Sequence, residues 1–205
     1  SLPNSLEEIA INAFRNCSSL TSINVPSSLK KLGIAAFSNT KIKEFTLPSA
    51  VTEVADYLFQ DCNSLEKVVL HKNVHLIGNY AFSHCSMLTE LSLSESLFSI
   101  GSYAFSCCTK LTNINVPNTV EFMGTNAFEY CNSLKNVNIP SSLKALPDET
   151  FYYNDGIESI HIPGNIEIVG SYIARDSDSL KTITMEEGVR IIKSYAFYDA
   201  SSLAS

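Results

Sequence analysis

One residue pair recurs along this chain at a near-constant step. Ala-Phe or a close relative ends at Phe14, Phe37, Phe59, Phe82, Phe105, Phe128 and Phe151, then at Ala174 in the same slot, and finally at Phe197. The steps are 23, 22, 23, 23, 23, 23, 23 and 23 residues. A unit this short cannot bury its own apolar side chains, so units must stack and cover one another, and stability becomes a sum over neighbours. A fold built around one central core has no reason to keep such a period. The expectation is therefore a single solenoid over residues 1–205, of about nine 22–23-residue repeats. With coils about 5 Å apart, as adjacent strands are, the body is roughly 40 Å long.

The apolar columns follow from taking the Phe as zero. A Leu or Ile recurs six residues on (Leu20, Leu65, Leu88, Leu111, Leu134, Ile157, Leu180, Leu203), with Ile42 one step early in the short unit. Further columns lie nine residues on (Ile23, Val68, Leu91, Ile114, Val137, Ile160, Ile183) and eleven on (Val25, Leu70, Leu93, Val116, Ile139, Ile162, Met185). Pro often follows, then a fourth column from Leu29 to Val189, then a fifth that precedes a frequent Gly, as in Ile77-Gly78 and Ile100-Gly101. The alternation in Ile23-Asn24-Val25 predicts a short strand with one face buried. Two irregularities stand out: Ile173-Ala174 replaces Ala-Phe, which predicts a local shift to fill the Phe slot, and the 22-residue unit predicts a tightened turn after Phe37.

These columns resemble the BspA-like leucine-rich repeats, whose unit reads approximately LxxIxIPxxLxxIGxxAFxxCxx; residues Leu111 to Cys131 match it throughout. The commoner leucine-rich pattern, with its Asn ladder, is not followed at Ser28-Leu29-Lys30. The resemblance implies a mainly β leucine-rich-repeat solenoid of the α/β repeat kind. Parallel strands would run along one face, with a second short extended segment and a helical turn around the Ala-Phe. It also implies a non-enzymatic module of a cell-surface or secreted adhesin-like protein that binds proteins or glycans, such as a host matrix or cell-surface glycoprotein. The alternative is an intracellular scaffold or a passive spacer. Leu2-Pro3 and Leu203 fall in mid-unit without polar caps, which suggests a piece of a longer array.

Other function classes find little support. The balance of 14 Lys+Arg against 21 Asp+Glu leaves −7, unlike a nucleic-acid-binding surface. No stretch approaches the roughly 18 apolar residues of a membrane span, so no membrane insertion is expected in this segment. No GxSxG, GxGxxG or P-loop occurs, and the acids are dispersed across units. His71, His75 and His84 lack metal-ligand spacing. No catalytic residue, metal ligand or cofactor is assigned.

Five of the six Cys (Cys17, Cys62, Cys85, Cys108 and Cys131) sit three residues after the Phe, where other units have Thr40, Asn154, Ser177 and Ala200. Small size is the shared property, which predicts a packed column of free thiols, since parallel side chains in register do not bring their Cβ atoms together. Cys107, off the column, is the candidate for an exposed reactive thiol.

Partner information can be stored only at outward positions. Asn113, Asn115, Asn136 and Asn138 form a polar patch two units wide, suited to hydrogen bonding a peptide backbone or a sugar. Ser92, the lone outward apolar residue Val69, and His161 extend it along the strand face. A Tyr column two residues before the Phe (Tyr57, Tyr80, Tyr103, Tyr172, Tyr195) is expected to stack for structural reasons, the alternative being an aromatic strip that grips a partner. A ridge near Leu76, Phe98, Phe122, Ile168 and Ile191 is either packed between coils or exposed.

Overall fold

The computed structural model describes residues 2–204. Each regular coil passes through one strand, a bend, a second short strand and a turn segment centred on the Phe slot, before the next coil begins. Two parallel ladders result. The first joins Glu44–Thr46, Lys67–Val69 and Glu90–Leu91, then Asn113–Ile114 with Asn136–Val137, then Ser159–Ile162 with Thr182–Met185. The second joins Glu8–Ile9 with Lys31–Leu32, then Glu53–Val54, Leu76–Ile77, Ser99–Ile100 and Phe122–Met123, then Ala145–Leu146, Ile168–Val169 and Ile191–Ile192. Register follows the period: Asn136 pairs with Asn113, and Ile160 with Ile183. The expected solenoid with a parallel strand ladder and a second extended segment is what the chain forms.

One interruption has a simple chemical origin. In most coils the residue after the second strand sends its N–H back to the preceding coil, as Gly78 does to Val54 and Gly101 to Ile77, both at 2.8 Å. Pro147 occupies that slot in its coil and has no N–H to give. The ladder stops between Phe122–Met123 and Ala145–Leu146, the boundary that an N–H at position 147 would have bridged.

The turn segment corrects the expected helical turn. Among the described residues no helix forms, and two residues per coil have positive φ, for example Tyr57 (58°) and Asp61 (61°), or Tyr80 (56°) and His84 (61°). Alternate N–H groups consequently point in different directions. Those of Leu58, Gln60 and Cys62 bond within the coil, to Ala55, Tyr57 and Phe59, whereas those of Tyr57, Phe59 and Asp61 reach Asn79, Ala81 and Ser83 of the next coil. A helix would spend every N–H inside its own coil and leave the stack without these rungs. Each left-handed residue costs on the order of 1 kcal/mol, and the inter-coil bonds and burial offset it.

Close approach of coils also explains the Gly column. A Cβ on Gly101 would lie 2.5 Å from the backbone N of Asn79, and one on Gly124 would lie 2.2 Å from that of Ser102. Inside, seven phenylalanines from Phe14 to Phe151 stack as a continuous spine, with ring centroids 5.2–6.1 Å apart and planes within 21°. The spine ends where Ala174 replaces Phe. The backbone register does not shift there, because Phe151 N–H still donates to Ile173 and Ala174 N–H to Ala196; Ile173 and Ala174 are simply both buried.

The cysteine column is more than small. Cys62, Cys85, Cys108 and Cys131 are fully buried, and each thiol donates to the carbonyl of the Phe of the preceding coil: Phe37, Phe59, Phe82 and Phe105, at 3.1–3.2 Å. Asn154 Nδ2 does the same to Phe128 (2.7 Å) and the Ser177 hydroxyl to Phe151 (3.4 Å). Donor capacity is therefore the property shared along the enclosed part of the column. Burial pushes all four thiols upward in pKa, Cys85, Cys108 and Cys131 strongly. All six cysteines are free. Cys17, in the first coil, is the exposed thiol; Cys107, expected in that role, is half-buried and its thiol is raised by burial.

Candidate binding face

Residues that flank the buried positions of the first ladder project outward by strand alternation. Asn113, Asn115, Asn136, Asn138 and His161 come together there, lining a shallow hollow of about 390 Å³ with Lys135 and Ser159. Five of the seven residues singled out from sequence thus share one concavity. Val69 and Ser92 lie farther along the same face, in a neighbouring hollow lined also by Lys67, Thr89 and Glu90. Lys135 was missed by the sequence reading. It stands beside Asn136 in the column seven residues after the Phe, and adding that column to the outward set would have found it.

The asparagines differ in how committed they are. Asn136 Nδ2 donates to Asn113 Oδ1 at 2.9 Å, an amide rung between coils. Asn138 turns its side chain into the sheet: its Oδ1 accepts Val116 N–H at 2.7 Å and its Nδ2 donates to Val116 O. A side-chain amide has taken the place of a backbone peptide, which is why the pairing of these two strands ends at Ile114 and Val137. Asn138 therefore holds the floor of the hollow. Asn115 is exposed and, among the described residues, its side chain has no hydrogen-bond partner, leaving a donor pair and an acceptor for a ligand.

His161 forms one wall. Its Nδ1 lies 2.9 Å from Thr184 Oγ1 and its Nε2 3.2 Å from Glu186 Oε1, while Glu186 Oε2 accepts the Gly164 N–H at 2.8 Å. The ring orientation is thereby fixed from the following coil. The rest of the lining is neutral, amide and hydroxyl groups with Ile114 and Val137 between them, and Lys135 alone carries a fixed charge. Such a surface suits neutral, hydrogen-bond-rich partners.

Elsewhere the outward columns pair across coils. Lys30–Glu7, Lys31–Glu8, Lys67–Glu90 and Lys181–Glu158 close at 2.6–2.9 Å on exposed surface, where such pairs contribute little. The hydrogen bond to Glu90 raises the Lys67 ammonium, and the one from Lys181 lowers the Glu158 carboxyl. On the second ladder Phe98 and Phe122 meet edge to face at 5.1 Å and are exposed. Among the described residues, no group of three or more His, Cys, Asp or Glu is placed to hold a metal ion, and no helix is long and apolar enough to cross a membrane.

Comparison with known proteins supports the same architecture. No curated protein sequence matches the chain. Among solved structures, the Treponema pallidum leucine-rich repeat protein TpLRR is 23% identical, with a TM-score of 0.59 over 97% of this chain and 77% of its own. A leucine-rich cell surface protein from Faecalibacterium prausnitzii is 24% identical, with a TM-score of 0.55 over 98% of this chain and 76% of its own. The pneumococcal vaccine antigen PcpA is 19% identical, with a TM-score of 0.55; the match spans 94% of this chain and 56% of that antigen. At these identities the likeness is one of fold. The BspA-type leucine-rich repeat region model matches residues 1–94 and 75–204, in six copies. With the repeat columns, the two parallel ladders and this match in hand, the chain belongs to the BspA-type leucine-rich repeat family.

Proposed function

We propose that the chain is a non-enzymatic binding module, exposed at a cell surface or secreted, which engages a protein or its glycans through the strand face. The observation that carries this reading is the hollow in which Asn113, Asn115, Asn136 and His161 converge over a floor held by Asn138. Repeat architecture fixes the inward columns and leaves the outward ones free to encode a partner. The surface location draws support from the Faecalibacterium neighbour, described as a cell surface protein.

Binding of the purified chain to a panel of matrix glycoproteins and cell-surface preparations tests this, beside an Asn115→Arg, Ser159→Arg variant. Both positions are exposed and line the hollow without supporting the sheet, unlike Asn138. Saturable binding by the parent, lowered at least tenfold in the folded variant, is the expected result. Equal binding by both chains, or none by either, would leave the strand face without this role and favour a spacer or scaffold.

A further inference from the structure

All nine tyrosines of the chain lie on the turn segments and none on a strand of either ladder. Tyr57, Tyr80 and Tyr103 stack at 5.0 and 4.7 Å, Tyr172 and Tyr195 at 5.3 Å, each pair within 6° of parallel. Two residues after the Phe slot, Tyr130 and Tyr153 stack at 4.8 Å, and Tyr152 meets both edge-on. Tyrosine and arginine are among the residues most enriched where proteins bind one another; tyrosine offers large area and a polar tip with only two side-chain torsions to fix.

Arg175 shows what this surface accommodates. In the column one residue after the Phe slot it stands between Tyr152 and Tyr198. Its guanidinium carbon is 5.6 Å and 5.4 Å from those ring centroids and 5.3 Å from that of Tyr172, with Asp176 at 3.0 Å. The remaining charge is one-sided. Turn segments 124–131, 147–154 and 170–177 hold four carboxylates (Glu129, Asp148, Glu149, Asp176) and one cation, Arg175; Asp176 pairs with Arg175 and Asp148 with Lys193, each at 3.0 Å, which among the described residues leaves Glu129 and Glu149 without a cation. The phenols register that field: Tyr153 is raised chiefly by the negative charge of Asp176, and Tyr130 by burial, with Glu129 adding to it.

We propose that the turn face around Tyr130, Tyr152 and Tyr153 is a second binding surface whose partner is a protein segment with exposed arginine side chains. A guanidinium laid over the face of Tyr130 that is turned away from Tyr153 repeats the Arg175 arrangement, with a phenol ring beneath and Glu129 or Glu149 alongside. Arginine fits better than lysine because its planar cation stacks on rings and forks onto carboxylates. This surface is separate from the strand-face hollow and stands or falls without it.

The chain has no Trp, so its tyrosine emission reports on the turn face alone. A ten-residue Arg/Gly peptide is titrated into the full chain at low ionic strength, beside Lys/Gly and Glu/Gly peptides. The expected result is a saturable change in emission with the arginine peptide, several-fold weaker with lysine, absent with glutamate and weakened by salt. Tyr152→Leu with Tyr153→Asn leaves the charge unchanged and keeps a residue tolerant of the left-handed backbone at 153; it should lower affinity at least tenfold. The near-isosteric pair Glu129→Gln, Glu149→Gln should do the same without disturbing the rings. Glu44→Gln with Glu121→Gln removes equal charge elsewhere and should retain binding. Overturning results are no binding of the arginine peptide, equal response to the glutamate peptide, or affinity falling as much with the Glu44, Glu121 pair as with the Glu129, Glu149 pair.

Discussion

The strand face and the turn face of the same coils obey different rules. On the strand face, outward residues from Glu44 to Thr184 vary in size, charge and polarity, and only the Asn138 side chain is built into the sheet. The turn face concentrates constraint: two positive-φ residues per coil, a Gly pressed on the backbone below, the Phe spine and the hydrogen-bond donor column. The invariant part of the repeat therefore lies where backbone approaches backbone. Variability is cheap where only side chains meet solvent.

Replacing Gly101 with Val is the harshest test of that contrast. The new side chain meets the Asn79 backbone, which cannot swing aside, and the N–H bond to Ile77 is strained with it. A loss of at least about 3 kcal/mol in denaturant unfolding is expected, whereas Ser92→Val on the strand face should stay within about 0.5 kcal/mol. Equal losses at the two sites would erase the distinction.

A second effect, smaller for each residue involved, concerns pH. Cys62, Cys85, Cys108 and Cys131 have folded-state pKa values raised by burial above those of the unfolded chain. Both states are protonated below the unfolded thiol value, so stability there is unaffected. Above it the unfolded chain loses protons that the folded chain retains, and stability falls by about 1.4 kcal/mol per pH unit for each thiol until the folded value is reached. Unfolding curves between pH 8 and 10 should show this slope, and a Cys108→Ser variant should show a shallower one. A flat profile would mean that the column is more open than its burial indicates.

The smallest effect separates two alanines. Ala35 has φ of 53°, so Ala35→Gly relieves strain while adding unfolded-state freedom, and the net change should be within about 0.5 kcal/mol. Ala81 is buried beside the spine and is not among the positive-φ residues; Ala81→Gly should cost about 1 kcal/mol or more. Thermal melts of the two variants make the comparison.

Repeat length, the buried columns and the strand positions were legible because burial forces the same residue type into every coil. The turn conformation was not, since Tyr57, Tyr80 and Tyr103 hold the left-handed backbone where glycine would have announced it. A signal did exist: Asn16, Asn39, Asp61, Asp176 and Asp199, two residues past the Phe slot, are the types that tolerate this region best. In the same way Thr40, Asn154 and Ser177 could have marked the cysteine column as one of donors rather than merely small residues. The patch of asparagines was readable from spacing, but its division of labour was not. Whether an amide faces solvent, as at Asn115, or replaces a peptide, as at Asn138, depends on a rotamer that spacing leaves open.

The enclosed thiols have one more consequence. Because each S–H is already engaged with a carbonyl and no pair is bridged, the fold owes nothing to covalent cross-links. Neither an oxidising nor a reducing medium changes the bonds that hold the stack together. Glutathione has no bridge to open, and an oxidant meets only Cys17 readily. Assembly is thus indifferent to redox poise, and the cysteine count of such a chain carries no address for the compartment in which it works.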